Sequence, residues 1–139
     1  VVDDSVADLL LITAAFEDYP NVRLTTHAQA TGALAWLETR AATGSAPDLV
    51  VLDLHMPGVD GLAWLQLLHQ RPTLRDIPVL LYSLTPVDRQ LGQITSPQVC
   101  GCWQKPVTFT GMQQHAQHLY DIWEREQVFT PSTLEASPQ

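Results

Sequence analysis

Leu49-Val50-Val51-Leu52-Asp53-Leu54-His55-Met56-Pro57-Gly58-Val59-Asp60-Gly61 is the stretch whose reading decides the fold. Residues 48–52 form an almost unbroken run of Val and Leu that ends on the carboxylate of Asp53. A continuous run, rather than an alternating one, is the pattern of a parallel strand covered on both faces. Working outward, residues 1–3, 22–26, 77–82 and 99–104 are further short runs of strand character. Between them lie longer stretches in which apolar residues recur every three or four positions. Val6, Leu9, Leu10, Thr13 and Phe16 mark a first helix, Ala33, Leu34 and Leu37 a second, and Leu62, Leu65 and Leu68 a third. Val87, Leu91 and Ile94 mark a short fourth helix bounded by Pro86 and Pro97, and Phe109, Met112, Ala116, Leu119 and Trp123 a last one. The order is βα repeated five times, an α/β fold in which right-handed crossovers place helices on both faces of a parallel sheet. Residues 1–126 form one domain, and residues 127–139, with Pro131 and Pro138, read as a flexible tail.

A chain of 139 residues accommodates one such domain. Val1-Val2-Asp3-Asp4 reads as the end of a strand whose beginning lies outside the sequence. Fifteen acidic against seven basic side chains, a net charge of -8, disfavour direct nucleic-acid or anionic-membrane binding. Two cysteines, no signal-peptide pattern and no membrane-length apolar run point to a cytoplasmic protein. Cys100-Gly101-Cys102 lacks a second ligand pair for zinc, and His115 with His118 has the wrong spacing for a two-histidine helix site. Trp36, Trp64 and Trp123 fall in helical stripes and read as packing residues.

Ligand sites of open α/β sheets lie outside the carboxyl ends of the strands. Asp3 and Asp4 finish the first strand, Asp53 the third, Ser83 the fourth and Lys105 the fifth. Taken singly, such aspartates are often helix caps; gathered at one rim they repel by about 4 kcal/mol per pair at 4 Å and an effective dielectric near 20. Lys105 and a hard divalent cation, most naturally Mg²⁺, would neutralise them. The set suits phosphoryl transfer, with an aspartate as nucleophile and cations on the phosphoryl oxygens.

V-V-D-D-S, L-V-V-L-D-L-H-M-P-G-V-D-G, L-L-Y-S and W-Q-K-P together resemble a response-regulator receiver domain of two-component signalling. The resemblance implies a flavodoxin-like doubly wound sheet of strand order 2-1-3-4-5. It implies that Asp53 accepts a phosphoryl group from a histidine kinase, hybrid kinase or phosphotransfer protein, and that the domain is a switch rather than an enzyme. It assigns Mg²⁺ to Asp4, Asp53 and the backbone carbonyl of His55, with Asp3 reaching it through water. Lys105 would pair with the acyl phosphate, Ser83 would move toward it, and the Lys105–Pro106 bond would be cis. Ser83, Leu84, Cys102, Trp103 and Pro106 form the switch region. Output would pass to partner proteins, including a second copy through the face of the fourth helix, fifth strand and last helix. Leu119-Tyr120-Asp121-Ile122-Trp123 and Val128-Phe129-Thr130-Pro131 also resemble single-domain regulators that serve bacterial phytochrome kinases.

The chain departs from the family pattern at two places. Leu84 replaces a small residue and implies a narrowed path for small phosphodonors. Cys102 replaces the usual Tyr or Phe of the aromatic relay. Strand alternation places Cys100, Cys102 and Gln104 on one side and Trp103 on the other. His55, two residues after Asp53, is positioned to influence hydrolysis of the phosphoryl group. His115, His118, Ile122 and Arg125 share a second face of the last helix, a candidate partner surface. Three rival readings are a haloacid-dehalogenase type enzyme, which needs an Asp where His55 stands, a degenerate receiver that binds partners without phosphorylation, and a DNA-binding regulator separated from its output domain.

Overall fold

The computed structural model describes residues 1–84 and 96–134. Three parallel strands, β1 (Val50–Asp53), β2 (Val79–Ser83) and β3 (Val99–Gln104), form a sheet in that order. β1 pairs Val50 with Val79 through Asp53 with Tyr82, and the β2–β3 ladder runs to Ser83 with Gln104. The first two expected strands are reduced to single bridges, because Val2 pairs with His27 on one side and Leu52 on the other. The order in space is therefore His27, Val2, β1, β2, β3, the expected 2-1-3-4-5. Residues 22–26 do not form the expected strand. His27 exchanges backbone hydrogen bonds with Val1 and Asp3, the Thr25 carbonyl accepts from the Val1 amino group, and Val22 and Leu24 line a pocket of about 450 Å³ together with Leu49 and Val50.

Every residue of β1 and β2 is buried, which confirms a sheet covered on both faces. Helices α2 (Ala30–Ala42) and α3 (Gly61–Gln70) cover one face: Ala33, Leu37, Trp64, Leu65 and Leu68 pack on Val50, Leu52, Val79, Leu81 and Cys102. Helices α1 (Val6–Ala15) and α4 (Phe109–Glu126) cover the other: Ile12, Met112, Ala116, Leu119 and Ile122 pack on Val51, Leu80, Tyr82 and Trp103. Local chemistry sets the helix starts. Ser5, Asp60 and Thr108 each cap one through a side-chain oxygen. The expected fourth helix around Leu91 lies outside the described residues. None of the described helices is long and apolar enough to cross a membrane.

Several faces differ from the sequence expectation. In α1 the buried stripe is Leu9, Ile12 and Ala15, while Val6 and Leu10 are exposed. In α4, His115 and Ile122 are buried and Phe109 is exposed, so the supposed second face belongs largely to the core. An 18-residue helix packed against both the sheet and α1 buries a stripe wider than one row. Cys100 and Cys102 do not share a face: a register shift pairs Val79 with Val99 but Leu80 with Gly101, a bulge that inserts one residue. Cys100 consequently packs with the α1/α4 layer and Cys102 with the α2/α3 layer.

Residues 127–134 of the expected tail pack against the domain. Gln127 turns the chain in the left-handed region (φ 58), Phe129 stacks on Trp123, and α5 (Pro131–Leu134) lies on β3. Leu134 is fully buried, and its carbonyl accepts a hydrogen bond from Trp103 Nε1 at 3.1 Å. Burial of one apolar side chain and satisfaction of an indole N–H offset the entropy of ordering this segment. Among the described residues no peptide bond is cis, so Lys105–Pro106 is trans. An X–Pro bond separates its isomers by only about 0.5–1 kcal/mol, so local chemistry does not impose the expected form.

His115 supplies a pH-dependent test of this core. Its Nδ1 lies 3.2 Å from the Tyr82 hydroxyl, and its ring meets Trp103 edge-on. Burial, with His118 nearby, pushes its pKa down to about 4. The unfolded chain, with histidine near 6.5, then binds more protons than the folded one between pH 6.5 and 4, so stability falls as pH drops through that window. We expect His115 to account for a loss of about 2 kcal/mol between pH 7 and pH 5. Urea unfolding of wild type and His115→Phe checks this: the gap between the two should shift by that amount in favour of the variant at pH 5.

Candidate functional site

Each buried strand run ends by delivering one polar residue to the same rim. Backbone bonds continue past the strand ends, from Leu54 N to Tyr82 O at 3.0 Å and from Lys105 N to Ser83 O at 2.7 Å. These bonds fix the rim before any side chain is placed. Asp53 and Asp3 are each 3% exposed, Ser83 is fully buried and Lys105 is 6% exposed, whereas Asp4 faces solvent.

Lys105 is the electrostatic hub. Its Nζ lies 2.6 Å from Asp3 Oδ2, 2.7 Å from Asp8 Oδ2 and 3.4 Å from Asp53 Oδ2. Burial opposes its charge, but hydrogen bonds to Asp3 and Asp8 outweigh that and hold its pKa above the ordinary lysine value. Burial raises the Asp3 pKa, against the pull of Lys105 and of the Ser5 N–H. Asp8 is the residue that sequence reasoning missed. Ser5-Val6-Ala7-Asp8 has the spacing of a capping box, with Ser5 Oγ accepting from Asp8 N at 3.3 Å. That signal places a carboxylate in the first turn of α1, beside the strand that carries Asp3.

Ligating atoms of Asp3, Asp4 and Asp53 lie within 4.8 Å of one another. With Asp8, four carboxylates face one ammonium. This deficit of positive charge and an all-oxygen donor set fit a hard divalent cation. The Asp53 oxygens are differentiated: Oδ1 accepts from His55 N at 3.1 Å, and Oδ2 faces Lys105. The His55 ring turns inward, its Nε2 at 3.3 Å from Ser83 Oγ. Asp3, Asp4 and Asp53 thus gather at one rim with Lys105, and His55 joins it to Asp53 through its backbone N–H and to Ser83 through its ring.

Of the remaining switch candidates, Leu84 follows Ser83 at the rim, whereas Cys102 and Trp103 lie within β3 on opposite faces. Leu84 is 53% exposed, which leaves most of its side chain in solvent rather than packed as a plug. Cys102 is buried and its thiol is pushed up to about 11 by desolvation, which makes it an inert packing residue. Trp103 is fully buried on the opposite face, tied to Leu134.

Comparison with known proteins shows the family and the fold. The family model for the response regulator receiver domain matches residues 1–117. The probable methanogenesis regulatory protein FilR2 of Methanothrix harundinacea is 30% identical over 88% of this chain and 81% of its own length. The cyclic di-GMP phosphodiesterase response regulator RpfG of Xanthomonas campestris is 32% identical over 60% of this chain, which spans 21% of that protein. Among solved structures, the phosphorylated cyanobacterial phytochrome response regulator RcpA superposes with a TM-score of 0.74 at 27% identity, covering 89% of this chain and 91% of its own. The Mn²⁺-bound response regulator Rcp1 has the same fold, with a TM-score of 0.71 at 22% identity over 92% and 94% of the two chains.

Proposed function

This chain belongs to the response regulator receiver family, and from that premise we propose that Asp53 accepts a phosphoryl group from the phosphohistidine of a histidine kinase, hybrid kinase or phosphotransfer protein. The carrying observation is the buried Asp53 carboxylate gathered with Asp3, Asp4 and Lys105 at one rim. In the transfer, an Asp53 oxygen forms the new O–P bond while the N–P bond of the donor breaks and the imidazole keeps the electron pair. Lys105 already reaches Asp53 and is positioned to follow charge onto the phosphoryl oxygens. Its bonds to Asp3 and Asp8 keep it charged and aimed.

Asp4, Asp53 and the backbone carbonyl of His55 would hold Mg²⁺, with Asp3 acting through water. When bound, that ion supplies neutralising charge to the phosphoryl oxygens. Ser83 follows Tyr82, the cross-strand partner of Asp53, at the end of β2, and its hydroxyl is suited to donate to the phosphoryl group. Its movement, with Leu84 and Pro106 at the same rim, would alter the surface offered to partners. Cys102 and Trp103 follow through the β2–β3 ladder rather than through an aromatic swing. Output through a homodimer on the β3 and α4 side has to accommodate α5 (Pro131–Leu134), which packs on β3. The net charge supports protein rather than nucleic-acid or membrane partners, in a cytoplasmic setting.

Asp53→Asn tests the reading. With Mg²⁺ and acetyl phosphate, wild type is expected to gain one phosphoryl group by intact mass. The variant is expected to gain none. With beryllofluoride, only wild type should show amide shifts around Ser83 and Lys105. Equal labelling of both proteins would overturn the assignment.

A further inference from the structure

We propose that the His55 imidazole is a positioning residue that latches the Ser83 hydroxyl in the resting arrangement, so that phosphorylation of Asp53 has to draw Ser83 away from it. The inference rests on Asp53 being the phosphoryl acceptor. Its basis is the 3.3 Å approach of His55 Nε2 to Ser83 Oγ, between residues 28 positions apart in sequence. Ser83 is fully buried, and His55 is half-buried above it.

Backbone on both sides of the contact is pinned. His55 N donates to Asp53 Oδ1, Leu54 N donates to Tyr82 O, and Lys105 N donates to Ser83 O. Freedom is left mainly in side-chain torsions. Serine has one, with three staggered wells, so its Oγ reaches another well only by leaving the imidazole. The hydroxyl also holds a single proton. Where Ser83 donates to Nε2, that proton is the one a phosphoryl oxygen would take. Where Nε2 donates instead, the contact still selects the well. In either tautomer, the switched position of Ser83 forfeits a hydrogen bond present at rest, and loss of the imidazole should favour the switched state.

The latch acts through Nε2, which separates the conservative variants. Glutamine carries its amide nitrogen at the reach of Nε2, whereas asparagine stops at the reach of Nδ1. Beryllofluoride is titrated into the Mg²⁺-loaded, ¹⁵N-labelled chain, and the amides of Ser83 and Lys105 are followed. His55→Ala and His55→Asn are expected to bind about three- to tenfold more tightly than wild type, the worth of one hydrogen bond. His55→Gln should stay within about twofold of wild type by the same measure. In a Ser83→Ala background, adding His55→Ala should leave the affinity unchanged, since the two changes act on one contact.

An unchanged or weakened affinity in His55→Ala overturns the latch, as does a difference that persists without the Ser83 hydroxyl. Wild type that binds beryllofluoride through Asp53, as shown by loss in Asp53→Asn, but ignores His55→Ala sinks the latch alone. Wild type with no Asp53-dependent binding removes the acceptor assignment and the latch together.

Discussion

Lys105→Met is expected to cost about 3–5 kcal/mol of folding stability in divalent-free buffer, the usual penalty for stripping a buried charge of its partner. The reason lies in the geometry of the rim. Asp3 and Asp53 are each almost wholly buried, and the Lys105 ammonium reaches both as well as Asp8. Methionine fills the space of the lysine stem, so the loss is electrostatic rather than steric. Burial already raises the Asp3 pKa, and removal of Lys105 removes the main influence holding it down. A carboxyl whose folded pKa exceeds its unfolded value binds protons preferentially in the folded state. Stability therefore falls as pH rises through the interval between the two values. The deficit of the variant against wild type should accordingly shrink as pH is lowered from 7 toward 5. Mg²⁺ should raise the melting temperature of Lys105→Met more than that of wild type, because the ion meets the same carboxylates with less competing charge. Urea and thermal unfolding, with and without Mg²⁺, check all three statements. An equal stability of variant and wild type would show that these carboxylates are not held in a buried cluster.

Gly101→Ala is expected to cost about 3 kcal/mol, at the upper end for overpacking. A Cβ at this position would lie 2.3 Å from the backbone oxygen of Leu134 and 3.3 Å from its side chain. The obstacle is backbone rather than a flexible side-chain end, so α5 has to leave β3. Its departure exposes the otherwise fully buried Trp103 and Leu134 and breaks the Trp103 Nε1 bond to the Leu134 carbonyl. Limited proteolysis should cut the variant between residues 127 and 134 while wild type resists, and the Trp103 indole N–H resonance should move. Leu134→Ala, which removes the buried side chain but leaves the backbone path open, should loosen the same segment while the Trp103 bond to the residue 134 carbonyl can still form. Cleavage of both wild type and variant at equal rates would show that 128–134 does not cover β3.

Sequence alone determined the parts of this protein that depend on short-range chemistry. Unbroken apolar runs ending in polar residues announce buried parallel strands, and a doubly wound sheet brings those ends to one rim. Asp3, Asp4, Asp53, Ser83 and Lys105 are legible in the sequence for that reason. Asp8 carried a readable signal in its spacing from Ser5, but a capping pattern does not say what else the carboxylate will touch.

Only the tertiary structure decided the rest, because those features depend on contacts between segments remote in sequence. The bulge at Cys100 shifts the register of β3, so strict alternation misassigns the faces of the two cysteines. Gly101 is a residue inside a strand pattern that marks a bulge or a close backbone approach, and here it serves both. His115 and Ile122 are drawn into the core by the double packing of α4 on the sheet and α1. Residues 128–134 are ordered because Trp103 and β3 offer a surface that local sequence cannot reveal. The His55–Ser83 contact belongs to the same class: side-chain direction at the rim is set by backbone bonds between neighbouring strands, and those exist only once the sheet has formed.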